Sequence, residues 1–422
     1  VTDLGCASVP TVAERQRAHR QVLARVALFA IGATSGVQLA NFTVTGLSVV
    51  CLLLAPGFLL MMHRGIDLLP AVLAVAGSLS FVASCAVNGV TVLWPNAIAF
   101  PAFLLYLVGL TVLTVRAVDA TATVLAGIAT GTMAFFLTQG IELTRTGSIP
   151  DLWKYGIAHA VTILVLFGMT TARIQPLLQS AVLVALGLAS LGLNFRSHAL
   201  VCLLAGAIVF TRHMLGSRIG RGWQFLGVAV FGLVFAQVMP IAARAGLFGA
   251  ALQQKTLEQD ATNLPLLLAG RTEPPLNITA ILERPFLGWG SAFNLTPDVY
   301  ARAQHLAIRM GFDPTFPFEL YWRLPPSDYS ATHSILLGSW VEGGILAVLL
   351  PLWLLVACVG VVWNSTSFGR WSPLVVTLAL QGIWDLLYAP WTYNMIPEFA
   401  CITLFFCAVR VRRPMVAVRD SS

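Results

Sequence analysis

The charged residues of this chain are gathered into connectors, and between them the sequence runs apolar for about 20 residues at a time, the length that carries a helix across a bilayer. Such stretches fall at residues 22–40, 43–62, 67–87, 97–115, 120–138, 156–172, 174–193, 198–211, 224–244, 333–362, 371–389 and 394–409. Of 422 residues, 57% are hydrophobic and 10% charged. Water-soluble domains carry about 25% charged residues, so this chain lacks the polar surface to enclose its apolar mass in water. A soluble domain, a disordered chain, a disulfide scaffold and a nucleic-acid-binding module are excluded together. The expected fold is an all-α polytopic membrane protein of about twelve transmembrane helices, with the lipid bilayer as its first partner.

A formal charge of +7 and a pI near 9.3 do not by themselves demand an anionic partner, because Lys and Arg in membrane proteins chiefly mark the cytoplasmic side. An even number of spans leaves both ends on one face. With that face cytoplasmic, the inner segments hold fifteen arginines, among them Arg15, Arg25, Arg173, Arg370 and Arg410, against five acidic residues. The short outer loops then hold only Arg145, Lys154, Arg196 and Arg244. Both termini are therefore expected in the cytoplasm. The first apolar run follows arginines and precedes no small-residue cleavage site, so it reads as a start-transfer helix that is kept. Six of the seven cysteines (Cys51, Cys85, Cys202, Cys358, Cys401, Cys407) fall within spans and form no Cys-x-x-Cys pair, the pattern of small packing residues.

Four segments follow: residues 1–244 with helices one to nine, 245–332 as one large extracytoplasmic loop, 333–410 with the last three helices, and 411–422 as a cytoplasmic tail. A loop of 88 residues is rarely idle. It carries Pro274, Pro275, Pro285, Gly288 and Gly290, helical patterning near 276–284 and 298–311, and an aromatic tail at Phe316, Phe318, Tyr321 and Trp322. One reading is a partly helical lid whose aromatics anchor at headgroup level; the favoured one is a subdomain that builds a site with the outer helix ends.

Three residues do not fit the anchoring pattern. Arg196, in Leu-Asn-Phe-Arg-Ser-His, caps an outer helix end; Arg271 follows Ala-Gly in the large loop; His333 stands at the mouth of the next span. Taken alone, Arg196 reads as a snorkelling anchor, Arg271 as a solvated loop residue and His333 as an interfacial histidine. The surrounding strings change that. His333, Ser334, Leu337, Glu342 and Gly344 resemble the His-[Asn/Ser]-x-x-Leu-x-x-x-x-Glu-x-Gly signature of the O-antigen ligase and O-antigen polymerase family. Ala-Gly-Arg271-Thr-Glu, followed by Pro285-Phe-Leu-Gly288-Trp-Gly290, resembles the Ser-Gly-Arg…Pro-Leu-x-Gly-x-Gly block of the same family. Residues 190–350 carry the resemblance, and the first half joins it only through hydropathy. Two departures stand out: Pro274-Pro275 replaces the Trp that usually follows the family's Arg, and the spacing to Pro285 is one residue shorter.

The resemblance implies a GT-C-like, metal-independent glycosyltransferase of the bacterial inner membrane, acting in lipopolysaccharide biosynthesis at the periplasmic face. It implies transfer of a glycan from undecaprenyl pyrophosphate to an acceptor hydroxyl: of lipid A-core in an O-antigen ligase, or of another glycan in a polysaccharide polymerase. The residue types suit that chemistry. Pyrophosphate is a good leaving group whose charge must be held at a lipid boundary, and the bidentate guanidinium fork holds it best, which assigns Arg196 and Arg271 to the donor. An alcohol needs a positioned base, and His333, read as lying in the first turn of a helix behind Thr332 as N-cap, is the expected general base. Glu342, nine residues on, points from the opposite face and reads as structural. His198, Ser334 and Asp385 are expected around these residues, with Arg244, Arg302 or Arg309 as partners for Asp385. Glu258-Gln-Asp260 has no second acidic cluster nearby, so no metal or other cofactor is expected. The rival class is a polytopic transporter or lipid flippase, disfavoured because few acids fall inside the spans.

Overall fold

The computed structural model describes residues 12–40, 44–61, 67–91, 95–139, 144, 146–216, 220–260, 272–322, 333–392 and 394–411. The chain folds as helices α1 (Val12–Ala33), α2 (Gly46–Met61), α3 (Leu69–Asn88), α4 (Pro95–Thr114), α5 (Val118–Thr138), α6 (Ile149–Thr171), α7 (Pro176–Gly192), α8 (Arg196–Leu215) and α9 (Arg221–Arg244). A lobe follows with α10 (Ala250–Asp260), α11 (Pro274–Glu283), α12 (Pro297–Arg309) and α13 (Phe318–Trp322). The bundle then resumes with α14 (Ile335–Gly343), α15 (Ile345–Trp363), α16 (Ser372–Tyr388) and α17 (Met395–Val411). Six of these, α3, α4, α5, α6, α8 and α15, are long and apolar enough to cross a membrane, and α2, α7 and the second half of α9 are shorter apolar helices. This is a helical membrane protein.

The boundaries follow local chemistry. Pro70, Pro176, Pro297 and Pro373 stand in the first turn of their helices, where the missing N–H costs nothing. Gly89 ends α3 in the left-handed conformation, with φ 67°. Pro274 and Pro275, the departure from the family pattern, open α11 in the same way, so the substitution starts a helix where a bulky aromatic was expected.

Three expectations are corrected. The first helix does not run to residue 40: it ends at Ala33, and a short antiparallel pair, β1 (Gln38–Ala40) with β2 (Val44–Thr45), follows it within a fold that is otherwise helical among the described residues. The cause is close packing of α1 on α5, since a Cβ on Gly36 would lie 2.2 Å from the carbonyl oxygen of Gly131, and one on Gly127 2.2 Å from that of Phe29. Backbones that touch through glycines fix where the helix must stop. Second, the stretch 333–362 is two helices, broken at Gly344 (φ 76°, ψ −167°). Third, the aromatic tail of the lobe does not serve as a headgroup anchor throughout: Phe318 and Trp322 are buried with Phe312, Leu276 and Val299 in the lobe's own core. Tyr321 alone of the four is exposed.

Val341 of α14 belongs to that same core, so the lobe and the bundle share packing. In the bundle, α17 and α16 are central, with Phe399, Ala400, Cys401, Leu374 and Val375 fully enclosed, while Leu53, Leu60 and Leu79 face outward as a lipid-facing surface would. The six described cysteines are buried and free, as packing residues are.

Candidate functional site

The broken helix explains what one sequence motif does. Where α14 ends, the segment Pro285–Gly290 crosses it, and the amides of Trp289 and Gly290 donate to the carbonyls of Val341 and Glu342 at 2.8 Å each. The amide of Ile345 donates back to Phe286 O at 3.2 Å. A Cβ on Gly344 would lie 2.0 Å from Phe286 O, and one on Gly288 (φ 68°) 2.7 Å from Glu342 O, so both glycines are dictated by contact and conformation together. From the other side, Ser80 and Ser84 of α3 donate to the carbonyls of Gly343 and Glu342 at 2.6 and 2.7 Å. Carbonyls that the break would orphan in lipid are thereby satisfied. The Glu342 carboxylate is fully buried and accepts from the Ala292 amide at 3.1 Å and from Asn96. Its placement is structural: it pins the lobe to α4.

His333 stands at the other end of α14. It precedes the helix: the N-cap is Ser334, whose hydroxyl accepts from the Leu337 amide at 3.2 Å. The expectation of a first-turn histidine behind Thr332 is thus corrected, and Thr332 itself lies outside the described residues. A helix dipole is not what orients this ring. The Glu273 carboxylate, from the start of the lobe, is 2.7 Å from His333 Nδ1. A carboxylate oxygen accepts, so Nδ1 is the donor of this contact, and Nε2 is the ring nitrogen left facing away from Glu273. The ring is about one-third exposed while the carboxylate is buried, and the second oxygen, Glu273 Oε2, has no hydrogen-bond partner among the described residues.

Ser334 also donates to the Leu386 carbonyl at 3.3 Å, which brings the end of α16 against the mouth. Asp385 is buried one residue earlier, accepting from Gln381 at 2.8 Å, with His159 and Glu398 as its charged neighbours. Arg302, one of its expected partners, pairs instead with Glu283 at 2.5 Å. His159 Nε2 is 3.0 Å from Glu398 Oε2, and its ring lies 6.3 Å from that of His198. His198 is buried against Thr162, at 3.0 Å, and stacks on Phe195. The turn Trp153–Ile157 of α6 is a π-helix, the kind of local insertion that re-aims side chains, and His159 stands two residues beyond it.

The structure therefore gathers Ser334, Asp385 and His198 at one end of the bundle, with Glu398 and His159 between them. Arg196 opens α8 at that end and donates to Thr256 of α10 at 3.0 Å, under the lobe. Arg271 lies outside the described residues, as do the side chains of Glu258 and Asp260. No group of three His, Cys, Asp or Glu among the described residues is arranged to hold a metal.

Sequence reasoning missed Glu273, His159 and Glu398. Glu273 was within reach of it, being two residues after Arg271 in the same string. His159 and Glu398 are single polar residues in apolar runs, and nothing in one dimension pairs residues 239 positions apart. Compared with known proteins, the chain matches no family model, and no curated protein and no solved structure is significantly similar to it.

Proposed function

We propose that the chain is a glycosyltransferase of the bacterial inner membrane, moving a glycan from undecaprenyl pyrophosphate to an acceptor hydroxyl at the periplasmic face. It is read as an O-antigen ligase acting on lipid A-core, with a polymerase of the same family as the alternative acceptor chemistry. In this reading about twelve helices span the membrane with both termini cytoplasmic, and residues 245–332 form the extracytoplasmic lobe.

The observation that carries the proposal is the pairing of His333 with Glu273. A carboxylate that takes the Nδ1 proton leaves Nε2 to deprotonate an alcohol, the division of labour by which a histidine becomes a general base. The ring, about one-third exposed, is open to an acceptor. Arg196 and Arg271 are assigned to the donor diphosphate, whose growing charge the guanidinium forks would stabilise as the glycan leaves. Arg271 precedes Glu273 by two residues in the sequence. The seam at Gly344 supports the assignment from outside the chemistry, because a site split between lobe and bundle needs the two held rigidly.

A second reading rests on one observation. The group of buried Asp385 and Glu398 with the partly buried His159 costs free energy inside a membrane protein and is the kind of cluster that proton-coupled transporters carry. One experiment separates the readings: purified protein is incubated with undecaprenyl-pyrophosphate-linked glycan and either lipid A-core or a second lipid-linked repeat unit. Glycan on lipid A-core means a ligase, and a lengthened lipid-linked chain a polymerase. Absence of both products, with the lipid-linked glycan crossing proteoliposomes, makes the protein a flippase.

A further inference from the structure

The opposite end of the bundle holds a cavity that the proposed transfer does not use. It lies where α1, α5 and α6 meet the turn before α16, and α16 alone separates it from the His333 end by about 25 Å, at ~1.5 Å per residue. Its volume is about 400 Å³. Three guanidinium groups line it, from Arg25, Arg173 and Arg370, against a single carboxylate, Asp119.

That carboxylate is already engaged. Arg370 donates to Asp119 Oδ1 at 3.1 Å, and the indole N–H of Trp371 donates to the same oxygen. Trp371 stacks on Phe167, with ring centroids 5.5 Å apart and planes at 27°, so one wall is fixed. Arg25 and Arg173 contribute cationic charge beyond what one carboxylate balances. The remaining wall sets Val26, Phe29 and Phe167 beside Thr123 and Thr171, whose hydroxyls donate to the helix carbonyls of Asp119 and Phe167, and Val26 is more than half exposed on the same flank of α1 as the exposed Val22. The cavity therefore opens sideways onto an apolar surface and presents its cations at the rim. A free anion in water asks for hydrogen-bond donors on all sides; a ligand with a charged head and a hydrocarbon body asks for this arrangement.

We propose that this cavity binds the phosphodiester headgroup of an anionic phospholipid, with Arg25, Arg173 and Arg370 on the phosphate and the upper acyl chains against Val26 and Phe167. The site is separate from the glycan-transfer reading and stands or falls without it.

The test uses the full chain in neutral detergent, delipidated, then titrated with phosphatidylglycerol or phosphatidylcholine and read by native mass spectrometry for retained lipid. Phosphatidylglycerol is expected to be retained and phosphatidylcholine not. Arg173→Gln, in a residue that does not hold Asp119, should weaken retention about fivefold, the effect of one basic residue on an anionic lipid. Asp119→Asn should strengthen it, an opposite sign that loss of folding does not produce. Arg302→Gln, on the exposed face of α12, should change nothing. Equal retention of the two lipids, indifference to Arg173→Gln, or displacement of the lipid by millimolar inorganic phosphate would each overturn the proposal.

Discussion

The two ends of α14 belong to one sequence string, twelve residues from His333 to Gly344, and they are built on opposite principles. At Gly344 the contacts are between backbones, every freed carbonyl is met from α3 or from the Pro285–Gly290 segment, and a single added Cβ has no room. At His333 the contacts are between side chains, the ring is partly exposed, and a buried carboxylate oxygen is left with no hydrogen-bond partner among the described residues. One end fixes the lobe on the bundle; the other presents the histidine proposed as the base. Rigidity at the seam is what lets a residue of the lobe, Glu273, orient a residue at the start of α14 without either being part of a regular element.

That contrast can be broken most forcefully at the histidine. His333→Ala is expected to cut glycan transfer by about 100- to 10,000-fold while leaving the melting temperature close to that of the parent, since the ring is not part of a packed core. Unaltered transfer by a normally inserted variant would remove the base from the proposal. The reverse signature is expected at the seam. Gly344→Ala places a methyl group against Phe286 O in a left-handed conformation and should cost about 2–5 kcal/mol of stability. A thermal shift of a degree or less would mean that the lobe is not locked there.

Glu273→Gln sharpens the comparison further, because an amide keeps the shape but can present N–H as well as oxygen to Nδ1. Transfer should fall about 10- to 100-fold, the effect typical of removing a carboxylate that orients a histidine, with little change in donor affinity. If donor affinity falls and the turnover rate does not, Glu273 serves the donor arginines and not the base. The smallest effect is expected at Arg302→Gln. Its pair with Glu283 is short but more than half exposed on the arginine side, so stability should move by less than about 0.5 kcal/mol.

Some of this was open to reading in one dimension. Most apolar stretches of the hydropathy pattern fall on a single helix, since the helix satisfies its own N–H and C=O groups, but 22–40 ends in a strand, 333–362 is two helices, and six helices are long and apolar enough to cross a membrane. The helical patterning near 276–284 and 298–311 falls on α11 and α12, and Glu342, read as structural from its position opposite His333, is buried against Asn96 and the Ala292 amide. The histidine's partner was not: the first-turn argument invoked a helix dipole, whereas Ser334 takes the N-cap and displaces His333 outside the helix. The role of Gly288 and Gly290 was hidden as well, since a glycine needed for contact and one needed for a turn look alike until the contacting backbone is in place.

By itself, then, the sequence determined the solvent, the helices and their approximate ends, since these depend on residues within a turn or two of one another. Only the tertiary structure decided that α14 and α15 are separate, that Glu273 reaches His333 across 60 residues, and that His159, Asp385 and Glu398 come together. Those facts depend on carbonyls and carboxylates finding partners across the bundle. A side chain's partner in a membrane protein is set by which helix packs beside it, and no local rule of propensity or spacing contains that choice.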